Sequence, residues 1–424
     1  MNKAIIKKII GERQAEISTF KLIKRDVKFD PTSNYVLIGA RRAGKTHLLY
    51  QEMLNKIENG AKPEDFLYIN FEDERLSFIK AQELGIFLDA YQEMFGNKKP
   101  FIYLDEIQNI DGWEKFARRL ADSKYRVMIT GSNAKMLSAE ISTTLGGRFV
   151  PKEIYPFSFN EFLEYKGISL DKNWEYTPKT RNSVAKLFDE YFYYGGFAES
   201  FDKTDKREWI NSLYQKTLMG DIVERNSIRN PRIFRLLAHK LADSVMQPST
   251  LKRLQNIINS TGEKISMPIL KDYLGYMEQA YLTFSVSNLV SPITDQTTIQ
   301  KRYFVDNGIL NLFLLNGETK LLENIVAIHL NKLYRNTQEE QRLFYYNSNV
   351  EVDFCIPEKK LAIQVSYSID NYETYEREVN GLAKFIKAND GYKGLIITRD
   401  HEETININGI EIEITPIWKW LCRE

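Results

Sequence analysis

One stretch of eight residues limits what this chain can fold into more than any other. Gly39-Ala40-Arg41-Arg42-Ala43-Gly44-Lys45-Thr46 has the spacing G-x-x-x-x-G-K-[ST]. Before it stand four apolar residues, Tyr35-Val36-Leu37-Ile38; after it, Leu48, Leu49, Met53, Leu54 and Ile57 recur at helical intervals. That pattern predicts a buried strand, a glycine-bounded loop and a helix. The glycines let the backbone curl until several N–H groups face one point, and the helix start adds the positive end of its dipole. An anion is the expected guest. Lys45 would reach the β- and γ-phosphates of ATP, Thr46 would ligate Mg²⁺, and residues Gly39 to His47 would surround the phosphates.

A second run, Phe101-Ile102-Tyr103-Leu104-Asp105-Glu106, is an apolar strand ending in two carboxylates. At the C-terminal end of a parallel strand such acids face a ligand crevice. Asp105 is expected to hold Mg²⁺ through water and Glu106 to polarise an attacking water. Further apolar runs at 66–71 and 126–130 alternate with helix-length segments, so the fold expected for this part is α/β, a parallel sheet with helices on both faces. The run at 66–71 lies between the two motifs in sequence. The run at 126–130 ends in Thr130-Gly131-Ser132-Asn133, where Asn133 or Ser132 would sense the γ-phosphate or cap a turn. Arg148 is a candidate arginine finger, on its own nucleotide or a neighbour's, or else a structural ion-pair partner.

Composition narrows the rest. The 424 residues carry 58 Lys plus Arg against 57 Asp plus Glu, for a net charge of +1. That excludes a histone-like basic protein, though not a local basic face. With 43% apolar residues the chain is neither disordered nor low-complexity. Its cysteines, Cys355 and Cys422, form no CxxC pair, so neither a zinc ribbon nor a disulfide framework is expected, and a reducing compartment is. The four histidines are scattered, which disfavours a histidine metal site. Lysines break the N-terminal segment before an apolar core forms, and no apolar run is long enough for a membrane helix. A cytoplasmic location without membrane contact is the expectation.

These motifs, with Phe71-Glu72-Asp73, Leu104-Asp105-Glu106-Ile107-Gln108 and Gly147-Arg148, resemble a bacterial and archaeal family of AAA-superfamily P-loop ATPases that carry a C-terminal domain of unknown function. Pro156-Phe157-Ser158-Phe159-Asn160-Glu161-Phe162, Tyr194-Gly195-Gly196-Phe197-Ala198-Glu199, Tyr303-Phe304-Val305-Asp306-Asn307-Gly308 and Glu323-Asn324-Ile325-Val326 look like further landmarks of it. The resemblance covers nearly the whole chain. It implies an ATPase core over residues 1–155, a helical region with a winged-helix-like segment over 156–300, and a small α/β nuclease-like domain over 301–424.

Two parts of that plan can be read from residues. Over 249–283 the pattern is helix–turn–helix, with Thr250 to Ile258 and Ser266 to Tyr281 as helices. Lys252, Arg253 and Lys271 offer outward cations, so both protein packing and DNA contact stay open. A charged helix is expected from Asp221 to Arg229. Further on, Glu351-Val352-Asp353-Phe354 followed by Leu361-Ala362-Ile363-Gln364-Val365-Ser366 resembles the core of restriction-type nucleases, in which carboxylates hold Mg²⁺ and a lysine supports the attacking water. Asp353 and Gln364 fit, and Glu323 adds a helix-borne acid. Ser366 stands where the lysine belongs, which makes the expected domain catalytically degenerate; Lys384 is a candidate replacement. Three functions compete: an ATPase that works as a conformational switch, with DNA or a second copy as candidate partners; a non-catalytic DNA- or protein-binding module with structural ATP; and a Mg²⁺-dependent nuclease.

Overall fold

The structure, a computed structural model, describes residues 3–20, 22–132, 143–334 and 342–423; the side chains of Ile293 and Thr294 also lie outside the description. The chain divides into two compact units, Met1–Tyr155 and Pro156–Glu424.

The first unit is built on a five-stranded sheet of β1 (Asn34–Ile38), β2 (Phe66–Asn70), β3 (Phe101–Asp105), β4 (Arg126–Gly131) and β5 (Phe149–Glu153). Their order is β2-β3-β4-β1-β5, and every neighbouring pair is parallel. Strands β1 to β4 are buried along nearly their whole length. In a parallel sheet this requires cover on both faces. Helices α1 (Lys3–Ile17), α2 (Lys45–Glu58), α3 (Ile86–Phe95) and α4 (Glu114–Asp122) connect or cover the strands. The helix read from residues 1–30 ends at Ile17, and 22–30 has no regular structure. The strand that separates β1 from β3 in space is β4; β2, which lies between the motifs in sequence, forms the edge.

Among its described residues the second unit holds nine strands: β6 (Ser249–Thr250), β7 (Thr283–Asn288), β8 (Ile299–Phe304), β9 (Phe344–Asn347), β10 (Glu351–Ile356), β11 (Leu361–Val365), β12 (Lys393–Thr398), β13 (Glu403–Ile407) and β14 (Ile410–Pro416). They form one sheet in the order β13-β14-β12-β11-β10-β9-β7-β8-β6. The boundary expected at 300/301 falls inside β8, within the second unit. Helix Pro231–Asp243, β6, helices Leu251–Ser260 and Met267–Gln279, then β7 and β8 follow one another in winged-helix order. The wing strand β7 continues into the rest of the sheet by pairing with β9. Antiparallel β10 and β11, helix Tyr372–Ala388 and parallel β12 make the part where a nuclease-like core is expected. The segment expected as a charged helix from Asp221 is instead the end of a π-helix, Thr217–Glu224.

Several landmarks of the resemblance turn out to be structural. Ser158 and Glu161 form a reciprocal capping box at the start of helix Phe159–Tyr165. Asp306 accepts the backbone N–H groups of Gly196 at 2.7 Å, Gly308 at 2.8 Å and Ile309 at 3.3 Å. Asn307 donates to the Phe192 and Leu321 carbonyls, and Asn324 pairs with both backbone groups of Phe304. Gly196 has no room for a Cβ, which would strike the Phe157 carbonyl oxygen. Burial pushes the Asp306 carboxyl up to about 6 against those three donors.

Candidate functional site

The phosphate loop joins the C-terminal end of β1 to α2. Gly39 is at φ +151° with the Ile154 backbone where a Cβ would stand, and Gly44 is at φ +93° as the residue before α2. Neither place tolerates a side chain without strain. Arg42 also adopts a left-handed conformation, at φ 61°. Ala40 and Ala43 are buried, while Arg42 and His47 are exposed and Arg41 lies 3.4 Å from Glu72. Lys45 is only 4% exposed; its ammonium donates to the carbonyls of Gly39 at 3.1 Å and Ala40 at 2.9 Å.

The two motifs meet because β4 spaces β3 from β1 by one strand. The Thr46 hydroxyl lies 3.1 and 3.0 Å from the two oxygens of Asp105. Asp105 is 1% exposed and also accepts the Tyr68 hydroxyl at 2.8 Å and the Thr130 hydroxyl. Burial raises its pKa above the usual aspartate value; the Thr130, Tyr68 and Thr46 hydroxyls oppose that and the neighbouring Glu106 adds to it. Glu106 has a left-handed backbone, at φ 53°, and its N–H donates to the Thr130 hydroxyl at 2.9 Å. Its carboxylate accepts from Gln108 and stands 4.0 Å from the Lys45 ammonium. A buried carboxylate touching a hydroxyl is the oxygen donor set that Mg²⁺ takes.

Sequence reasoning missed four residues here. Tyr68 and Thr130 both bond the Asp105 carboxylate, and Gln108 bridges Glu106 and, at 3.4 Å, the Ser132 hydroxyl. Buried Arg25 donates to the Ala43 carbonyl at 2.9 Å, steadying the loop from outside. Asn133 lies outside the described residues. Arg148 is not beside the loop. It directly precedes β5, its carbonyl accepts from Asn34 at the start of β1, and its guanidinium pairs with Asp122 at the end of α4. The phosphate loop leaves the other end of β1, about 17 Å away at some 3.3 Å per residue. Action of Arg148 on its own nucleotide therefore does not fit.

Among the described residues no helix is long and apolar enough to cross a membrane. Residues 32–163 match a family described as an AAA domain, and residues 185–320 match a domain of unknown function. The uncharacterized protein MJ1544 of Methanocaldococcus jannaschii is 36% identical over 99% of this chain and 95% of its own length. An uncharacterized protein of Haemophilus influenzae is 30% identical over 96% of this chain and 99% of its own. The solved structure of a Walker-type ATPase from Pyrococcus abyssi is 14% identical, with a TM-score of 0.42 over 74% of this chain and 95% of that one. With two relatives aligned along almost their whole lengths and the loop, the strand order and the acid pair in place, the chain belongs to the family of AAA-domain P-loop ATPases.

Proposed function

We propose that the chain binds ATP with Mg²⁺ at residues 39–47, hydrolyses it, and uses the cycle as a conformational switch. The observation that carries this reading is the contact of Thr46 with Asp105, with Glu106 and Lys45 beside it. Thr46 and Asp105 would hold the cation, which when bound neutralises phosphate charge. Lys45 would exchange its two carbonyl partners for phosphate oxygens. Glu106 orients a water and takes its proton as the water oxygen bonds to the γ-phosphorus and the bond to the bridging oxygen breaks, leaving ADP and phosphate. Lys45→Ala is expected to weaken ATP binding at least tenfold in equilibrium titration. ATP affinity equal to wild type in that variant would count against the site.

DNA as a partner is supported by the winged-helix order and by exposed Lys252, Arg253 and Lys271. So small a set of cations, with Asp272 exposed beside Lys271, suits backbone contact better than base reading.

A further inference from the structure

Lys301, on β8, is fully buried, an expensive place for an ammonium unless it is paired. It lies among three carboxylates. Its Nζ stands 2.9 Å from Asp353, 3.4 Å from Glu323 and 3.4 Å from Glu351. The Tyr345 ring covers it at 5.6 Å. Asp353 and Glu323 are the acids that the nuclease resemblance would assign to Mg²⁺.

Those residues do not fit a metal as they stand. One Asp353 oxygen faces the ammonium and the other accepts the Val365 N–H at 3.0 Å. Gln364 turns its amide nitrogen to Glu378 at 2.6 Å and accepts the Asp353 N–H with its oxygen at 3.3 Å. Ser366 bonds the Ser368 carbonyl, and Lys384 is exposed on the outer face of its helix, so neither replaces the missing lysine. Among the described residues no group of three or more acidic, histidine or cysteine side chains is arranged to hold a metal. Mg²⁺ demands a near-ideal octahedron of oxygens, and here the Lys301 Nζ occupies the space between Asp353 and Glu323 where the ion would sit.

One atom points to what the cluster was built for. Glu323 is 1% exposed, and its Oε2 has no hydrogen-bond partner, while Oε1 takes the Tyr303 hydroxyl at 2.7 Å and Lys301. A buried lone carboxylate oxygen beside a second carboxylate is a donor set with one more cation contact than a single ammonium uses. We propose that Asp353 and Glu323 form a latent divalent-cation site held shut by Lys301, whose ammonium serves as the resident cation. The second unit is thereby independent of metal and leaves phosphodiesters uncut.

The test uses the full chain without nucleotide, Mn²⁺ alone as the probe, and thermal unfolding as the readout. Wild type, Lys301→Met and Lys301→Gln are each compared with the same chain carrying Asp353→Asn. Glutamine keeps a donor towards Asp353, so the test does not depend on the methionine variant folding. Both Lys301 variants are expected to gain several degrees in Tm at millimolar Mn²⁺, and Asp353→Asn to abolish the gain. Wild type is expected to show no Asp353-dependent gain and to leave supercoiled DNA intact in Mg²⁺. Two results would overturn the proposal: an Asp353-dependent Mn²⁺ response in wild type, or none in either Lys301 variant.

Discussion

Gln108 is the residue whose position matters most beyond the motif itself. It joins Glu106 to Ser132 at the end of β4, so the acid expected to orient water is tied to the strand that borders the phosphates. Acting through Glu106, it is a positioning residue. Gln108→Ala is expected to lower turnover by roughly tenfold or more while ATP affinity stays within about twofold, because a small displacement of a catalytic group costs rate rather than binding. A matched fall in affinity would show that Gln108 only supports the loop. Lys45, Thr46, Asp105 and Glu106 were legible in the sequence because their chemistry is local: a glycine loop, and acids ending a strand. Gln108, Thr130, Tyr68 and Lys301 were not. Thr130, Tyr68 and Lys301 gain their meaning from strand order, and Gln108 gains its meaning from the turn after β3 together with Ser132 beyond β4; a lysine between Gln300 and Arg302 does not announce its three acids.

At the scale of elements, the landmark glycines and Asp306 lock the second unit. The three backbone N–H groups on one buried carboxylate tie the end of helix Pro178–Tyr194 to the turn after β8. Asp306→Asn places an amide nitrogen or a single oxygen against those donors, and a loss of ~1–3 kcal/mol is expected. The pH dependence has a definite sign. Burial pushes the folded carboxyl up to about 6, above the ordinary aspartate value, so its contribution is full below about pH 4 and is lost as pH rises through about 6. Urea titrations should therefore show the gap between wild type and Asp306→Asn shrinking from pH 4.5 to 7; a widening gap would contradict the assignment. Among the later strands, the short runs at 302–305, 343–346, 350–356, 361–367, 394–398 and 410–414 are expected as strands from the sequence, and each overlaps one. β13 is not among those runs, although Asn408-Gly409 between alternating isoleucines is a strong hairpin signal and the turn has φ of 53° and 82°. β7 lies in the region expected to be mostly helical, beyond the helix expected to end at Tyr281; Thr283 to Asn288 mixes polar and apolar residues, and strand identity comes from pairing with β8 and β9.

For the whole molecule, the division at 155/156 follows the change from alternating strands and helices to a helical pattern, which the sequence shows. The unity of 156–424 is set by pairing of β7 with β9 across more than fifty residues, which no local pattern reveals. Arg148 belongs to this scale as well. Its ion pair with Asp122 lies at the end of the strands opposite the loop, so any part in hydrolysis requires a second copy. Arg148→Ala is expected to leave turnover per chain unchanged at dilutions where the protein is monomeric by sedimentation; a loss there would place the arginine on its own nucleotide. The central claim is hydrolysis of ATP at the Lys45–Asp105–Glu106 site, and phosphate release by wild type and Glu106→Gln at saturating Mg²⁺ and ATP tests it most directly. Wild type is expected to release phosphate steadily, and Glu106→Gln to lose at least about a hundredfold with ATP still bound. Equal release by the two proteins, or none by wild type with ATP bound, would contradict that claim.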